Sequence, residues 1–263
     1  MKIYTKDIIH SLIQPIEPIE RTVDTLKFGS MEQSITGVTV TFMPTIEAIE
    51  KTIKLGANMM ITHEGIFYSH WDRTNFADTW LYQKKKSLIE RNQLQIFRLH
   101  DYIHQYQPDL ITVGLVHALN WQNYVLKHET VAVIIELPAQ TLDQIINEVK
   151  AKLELKQIKY AGDKTMTCKR IGLFVGYRGG SERTIPLINK YKLDLVIYGE
   201  GPEWETPEYL RDAHYLNQKT GLIVLGHQES ESPGMQMLAD QLQQKFPKLK
   251  IDYLSNPSWL KYS

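Results

Sequence analysis

The chain has 263 residues, long enough for one large α/β domain or two closely joined lobes, and for a substantial core that needs no staple. Its 30 basic side chains balance 30 acidic ones and no block of five like charges occurs, which excludes the electrostatic footprint of a binder of nucleic acid or anionic membrane. Cys168 is the only cysteine, which fits a reducing compartment, excludes an internal disulfide and leaves any metal to histidine and carboxylate.

Residues 1–20 carry charges and prolines where a signal peptide needs an unbroken apolar stretch. No run of about eighteen apolar residues follows, so a soluble, cytoplasmic protein with no membrane partner is expected. Residues 34–41 (SITGVTVT) are rich in β-branched side chains and predict a strand; 44–55 repeat apolar residues at helical spacing through Ile46, Ile49, Ile53 and Leu55. The run 57–62 (ANMMIT) then stops abruptly at His63, Glu64 and Gly65, as a buried parallel strand does when its carboxyl end meets polar residues. A helix over 79–91 and a strand over 94–99 (LQIFRL) follow, with His100 and Asp101 immediately beyond.

In the middle of the chain a strand is expected at 130–137 and a helix at 141–153, with Leu142, Ile145, Ile146 and Val149 on one face. Residues 169–176 (KRIGLFVG) read as a strand entering the loop Tyr177-Arg178-Gly179-Gly180. Residues 193–198 (LDLVIY) read as another, ending at Gly199 and Glu200. A last strand at 222–225 leads into Gly226-His227, and 233–246 has the pattern of an amphipathic helix starting at Pro233. Strands alternating with helices imply mostly parallel sheets with helices packed on their faces.

In open α/β sheets ligands collect beyond the carboxyl ends of strands. Metal-capable residues follow three of the expected strands: His63-Glu64, His100-Asp101-Tyr102-Ile103-His104, and His227-Gln228-Glu229-Ser230-Glu231. His100 and His104 are at i and i+4 and share a face if the strand passes straight into a helical turn; His227 and Glu231 repeat that spacing. Neutral imidazole and carboxylate suit Zn, Fe, Mn, Co or Ni, and carboxylates can bridge two ions. A single histidine after a strand is more often a hydrogen-bonded residue than a ligand, so the weight lies in three coincident strand ends. His10, His117, His128 and His214 fall outside these clusters and are expected to be structural or solvated. His70 and Asp72 are either site residues or polar residues of an exposed loop. Gly176, Gly179 and Gly180 either bring backbone N–H groups to an anion or make an ordinary turn. Glu200 is open to three roles: base, hydrogen-bond partner of a ligating histidine, or neighbour of a helix N-cap. Trp71, Trp80, Trp121, Trp204 and Trp259 are read as packing or subunit-contact residues.

The ordered runs ANMMITHEGIFYSHWD, IFRLHDYIH, IGLFVGYRGG, DLVIYGE and GLIVLGHQESE together resemble the NGG-interacting factor three family, whose bacterial members are described as homologs of GTP cyclohydrolase 1 type 2. The resemblance spans roughly residues 36–244. It implies one family domain over 1–263, built as two related α/β lobes of approximately 1–125 with 220–263, and 126–219. It also implies a dinuclear metal site in the cleft between the lobes and a homo-oligomer, commonly a hexamer. Carried over by motif, the family's paired histidines fall on His63 and Glu64, so a carboxylate replaces the second. The family's histidine with aspartate four residues on falls on His100 and His104, so there an imidazole replaces a carboxylate. The Gly-His motif with glutamate four residues on is intact as Gly226, His227 and Glu231. The implied ligands to two divalent ions are thus His63, Glu64, His104, His227 and Glu231, with Asp101, His100, His70 and Glu229 open between contact with metal and support of the ligands.

No Walker lysine motif, dinucleotide fingerprint or Ser-His-Asp ordering competes with the metal reading. The expected function is metal-dependent hydrolysis, by resemblance of a nucleotide-like or other ring amide substrate, with Glu200 as the candidate catalytic side chain. The alternative is a metal-binding regulatory or interaction protein without turnover.

Overall fold

The structure is a computed structural model and describes residues 2–14, 16–256 and 258–260. In chain order the elements are α1 (Thr5–Ile13), β1 (Leu26–Phe28), β2 (Gly37–Thr41), α2 (Ile46–Lys54), β3 (Met59–Thr62), α3 (Trp80–Arg91), β4 (Gln95–Arg98), α4 (Asp101–Gln105), α5 (Leu110–Ala118), β5 (Val125–His128) and β6 (Val133–Thr141). They continue as α6 (Leu142–Lys152), β7 (Lys159–Ala161), β8 (Thr167–Phe174), α7 (Ser181–Tyr191), β9 (Leu195–Tyr198), α8 (Thr206–Tyr215), β10 (Gly221–Val224), α9 (His227–Lys245) and β11 (Lys250–Leu254). Among the described residues no helix is long and apolar enough to cross a membrane.

The chain forms two compact units, Met1–Leu110 with Met235–Pro257 and Ile111–Gly234 with Ser258–Ser263. This differs from the expected lobes of 1–125 with 220–263, and 126–219. The physical reason is strand pairing: β10 is parallel to β9 and antiparallel to β7, so it belongs to the second unit's sheet.

The first unit's sheet has the order β1-β4-β3-β2-β11. Three of its pairs, β2/β11, β2/β3 and β3/β4, are parallel, and only β1 runs antiparallel at its edge. β2, β3 and β4 are buried along their whole length, which is why they read as unbroken runs and not as alternating patterns. Helix α2 covers this sheet with Ala48, Ile49 and Thr52, and the Thr39 and Thr52 hydroxyls meet at 2.7 Å beneath it. Thr45 caps α2 by accepting the Ala48 N–H at 3.1 Å.

The second unit's sheet has the order β5-β6-β8-β9-β10-β7. Its centre, β8-β9-β10, is parallel, and antiparallel β5, β6 and β7 flank it. Helix α6 begins with a capping box in which Thr141 accepts the Gln144 N–H and Gln144 accepts the Thr141 N–H, and it buries the expected face of Leu142, Ile145, Ile146 and Val149. Of the tryptophans, Trp121 is core, 1 % exposed with its indole N–H on Glu148, whereas Trp71, Trp80, Trp204 and Trp259 are exposed.

Lys85 on α3 is 1 % exposed and donates to the Ile66 carbonyl at 2.6 Å. Burial pushes its ammonium down to about 8, below the ~10.4 of a solvated lysine. Below about pH 8 both folded and unfolded chains carry the charge and folding bears the full cost of burying it. Between those values the unfolded chain binds more protons, so stability rises with pH. Relative to Lys85→Met, wild-type unfolding free energy should therefore rise by about 2 kcal/mol from pH 7.5 to 9.5, measured by urea titration of chelator-treated protein. A difference independent of pH would show that the ammonium is solvated.

Candidate metal-ligand sites

In the first unit the register of β3 with β4 pairs Thr62 with Arg98, so His63-Glu64 and Leu99-His100 leave the sheet side by side at its carboxyl edge. Backbone hydrogen bonds continue past the strands, from His63 N–H to Thr41 O at 3.2 Å, Glu64 N–H to Phe42 O at 2.9 Å and Leu99 N–H to Thr62 O at 2.9 Å. The chain then enters α4 directly, with His100 at its N-cap and His104 in its last turn. Asp24, 7 % exposed, accepts the N–H groups of His100, Asp101 and Tyr102 at 2.7, 3.0 and 2.9 Å and so caps the helix. Burial raises the Asp24 carboxyl above the usual carboxylate value in spite of those three donors.

His63, His100 and His104 converge. Their ring centroids lie 4.6 Å (63 to 100), 5.2 Å (63 to 104) and 5.4 Å (100 to 104) apart, and one potential ligand atom from each lies within 4.8 Å of the others. In each ring Nδ1 faces an oxygen: the Leu99 carbonyl at 3.0 Å for His63, Asp101 Oδ1 at 2.9 Å for His100 and Asp109 Oδ2 at 3.0 Å for His104. An oxygen acceptor draws the proton to Nδ1 and leaves Nε2 as the coordinating nitrogen, the arrangement that metal-binding histidines use. Burial pushes His100 down to about 4, against the opposing hydrogen bond to Asp101, so this imidazole is neutral at pH 7. Burial alone would raise Asp101, but hydrogen bonds from His100, Thr22 and Val23 outweigh it and hold the carboxyl well below its usual range.

Arg98, which the sequence reading passed over as part of a strand, is 0 % exposed and ties these segments together. Its guanidinium donates to the His63 carbonyl at 3.1 Å, to the His70 carbonyl at 2.5 Å, to His70 Nδ1 at 3.1 Å and to Glu64 Oε2 at 3.3 Å. Because arginine is an obligate donor, His70 Nδ1 accepts and its proton sits on Nε2. His70 is thus oriented oppositely to the other three rings. Asp72 pairs with Lys27 at 2.5 Å and takes no part in the cluster.

In the second unit Phe174, Tyr198 and Val224 are in register across β8, β9 and β10, so Gly176, Glu200 and His227 follow three adjacent parallel strand ends. Helix α9 starts at His227, six residues before the expected start at Pro233, and this makes His227 and Glu231 neighbours on one turn. His227 Nδ1 lies 2.8 Å from Glu200 Oε1 and His227 Nε2 lies 3.0 Å from Glu231 Oε2. Glu231 is 2 % exposed. Glu200 is thus a hydrogen-bond partner of His227. Glu229 turns back against Gly226, where a Cβ would collide with its carboxylate. The glycine loop offers less to an anion than its composition suggests: Gly176 N–H is given to Ser230 Oγ at 2.9 Å, Gly179 N–H to Glu200 O at 3.0 Å, and Ser181 N–H to Glu205 at 2.7 Å. Outside these clusters His214 is structural, its Nε2 on the Thr220 carbonyl at 2.9 Å.

The chemistry of the donor set fits divalent transition ions. Imidazole and carboxylate are the ligands such ions take, and every imidazole of the two clusters that presents Nε2 has an oxygen partner on Nδ1.

Comparison with known proteins agrees with this reading of the fold. A protein of Clostridium acetobutylicum described as "GTP cyclohydrolase 1 type 2 homolog" is 23 % identical over 96 % of this chain and 94 % of its own length. A Clostridium perfringens protein of the same description is 25 % identical over 84 % of this chain and 82 % of its own. The crystal structure of the "Bacillus cereus protein related to NIF3" superposes with a TM-score of 0.80 over 100 % of both chains at 15 % identity, a likeness of fold. The family model Duf34/NIF3 (NGG1p interacting factor 3) matches residues 9–257, and the chain belongs to that family.

Proposed function

We propose that the chain binds two divalent metal ions and is a metal-dependent hydrolase. Its proposed ligands are His63, His104 and either Glu64 or His100 in the first unit, with His227 and Glu231 in the second. The observation that carries this is the set of three imidazoles in the first unit, each held by an oxygen on Nδ1. A divalent ion bound by such groups supplies Lewis-acid polarisation of a carbonyl or phosphoryl oxygen and a more acidic water. The chain's own contributions are orientation and charge. Asp101 and Asp109 fix the His100 and His104 rings, Arg98 fixes the backbone of His63 and His70, and Glu200 holds the His227 Nδ1 proton. The substrate class follows the description of the relatives, so a purine nucleotide such as GTP, attacked at its ring, is the first to test.

Protein loaded with zinc or cobalt, desalted and analysed for metal, should retain two ions per chain, with a light-scattering mass of six chains in keeping with the family's assembly. Incubated with GTP, it should then change the purine absorbance. Two retained ions with unaltered GTP would leave a metal-binding protein and remove this substrate; no retained ion would remove the reading altogether.

A further inference from the structure

We propose that Arg21, Trp71 and His70 form a binding site for the phosphoryl group of a small substrate, at the rim of the first unit's histidine cluster. The proposal deepens the hydrolase reading and rests on it for the ligand's role as substrate. It assigns residues that hold no metal.

Arg21 Cζ lies 4.6 Å over the centroid of the Trp71 ring. A guanidinium seated by its face on an indole keeps its N–H groups free at its edge, in the fork that matches two oxygens of an anion. Among the described residues Arg21 has no carboxylate partner. Its place in the fold is nonetheless fixed, because the residues that follow it are fastened to the start of α4. Thr22 Oγ1 and the Val23 N–H donate to Asp101 Oδ2 at 2.8 and 3.0 Å, and Asp24 caps the helix. The Trp71 ring lies 4.9 Å from that of His70, and the His70 ring lies 4.8 Å from that of His100. Guanidinium, indole and imidazole thus form a row that ends at the cluster. Arg98 donates to His70 Nδ1, so His70 presents Nε2–H, a donor with no partner among the described residues.

The segment that carries His70 and Trp71 is held in a conformation its residues disfavour. Tyr68 on one side has a φ of +57° and Asp72 on the other a φ of +51°, both left-handed. Arg98 holds the His70 carbonyl at 2.5 Å and Lys27 holds Asp72 at 2.5 Å, which keeps the segment in place. Backbone strain imposed by its surroundings in this way collects at ligand sites. Trp71 is 50 % exposed, so burial of the indole repays little of it. An arginine fork takes two oxygens of either a carboxylate or a phosphoryl group, and the phosphoryl group has a third for the His70 N–H. A substrate held there by its phosphoryl group would extend along the row toward His100.

The test is titration of chelator-treated, desalted protein with inorganic pyrophosphate, followed by phosphorus NMR, with acetate as competitor. Arg21→Ala should lose at least about tenfold in affinity, the worth of a hydrogen-bonded charge, and His70→Ala about two- to tenfold. Arg21→Lys, which keeps the charge without the fork, should recover only part of the loss. Trp71→Ala should lose about two- to fivefold, and Trp71→Phe, which keeps a ring face for the guanidinium, should bind as wild type does. Arg21→Ala within twofold of wild type would overturn the proposal, as would acetate that displaces pyrophosphate at equal concentration. A Trp71→Ala protein of lower light-scattering mass and unchanged affinity would make the stack a subunit contact and defeat it too. Zinc retained by Arg21→Ala should equal that of wild type. If wild type keeps its zinc and binds pyrophosphate without need of Arg21, this proposal fails and the metal reading stands. If pyrophosphate binding depends on Arg21 in a protein that retains no zinc, the anion site stands and the hydrolase reading fails.

Discussion

Replacing Glu231 with alanine should lower the affinity for the ion bound by the second unit by at least about 100-fold, beyond what loss of a supporting group costs, while leaving the fold intact. The expectation starts from the helix. Glu231 follows His227 by one turn of α9, which brings Oε2 and Nε2 to 3.0 Å. Bonds of about 2.0–2.2 Å at tetrahedral angles put ligand atoms about 3.3–3.6 Å apart, so the pair has to open by only about half an ångström to share one ion. Glu231 is also the buried negative charge of that turn, 2 % exposed, so the alanine variant removes a donor and the charge that attracts the cation together. Without metal the same removal eliminates a buried carboxylate and leaves His227 held by Glu200, so the melting temperature of chelator-treated protein should change little. Glu231→Gln keeps the shape without the charge and should fall between. Equilibrium dialysis with zinc measures all three, and wild-type affinity in the alanine variant would take Glu231 out of the ligand set.

The features of this site that were legible in the sequence are those with a local signature. The run 57–62 stops at His63 because a fully buried strand shows an apolar block with a sharp polar edge, and the i, i+4 spacing of His100 with His104 holds because β4 runs straight into α4. What was not legible depends on contacts distant in the chain. Asp24 caps α4 from 76 residues away and carries no pattern that says so. Arg98 sits in a strand buried on both faces, where a single charged residue in LQIFRL gives no sign that two carbonyls and a carboxylate await it. Proline favours a first helical turn and the HQESES segment has no apolar stripe, so nothing in the amphipathic pattern of 233–246 marks a helix before Pro233; the helix runs through that proline. The i, i+4 spacing of His227 with Glu231 was the signal for the earlier start. α5 escaped because LITVGLVHA is apolar on every side, which leaves no periodicity to tell helix from strand. The unit boundary was misplaced for a related reason: the partner of β10 is β9, and pairing between strands is not written in either one.

Gly176 shows how far a locally legible residue can carry. Its place in a turn is apparent from the sequence, and its φ of +56° is one that glycine adopts without strain. Its second role is not apparent: a Cβ here would collide with Oε1 of Glu231 and lie 3.1 Å from Nε2 of His227, so both proposed ligands rest against bare backbone. Gly176→Ala should therefore do two things. The left-handed conformation costs about 1–2 kcal/mol for alanine, and the new methyl group must push the carboxylate away from His227. Gly56 separates the two effects, because its φ is +72° and a Cβ there meets nothing within 4 Å. Gly56→Ala should lose about 1–2 kcal/mol of stability by urea titration with zinc affinity unchanged. Gly176→Ala should lose a similar amount of stability and, in addition, most of the zinc affinity that Glu231→Ala loses. The double variant Gly176→Ala/Glu231→Ala should lose less than the sum of the two single losses, since the methyl group meets the carboxylate first and His227 only at 3.1 Å. Zinc binding by Gly176→Ala at the wild-type level, or a double variant whose losses simply add, would show that the glycine serves the turn and not the ligands.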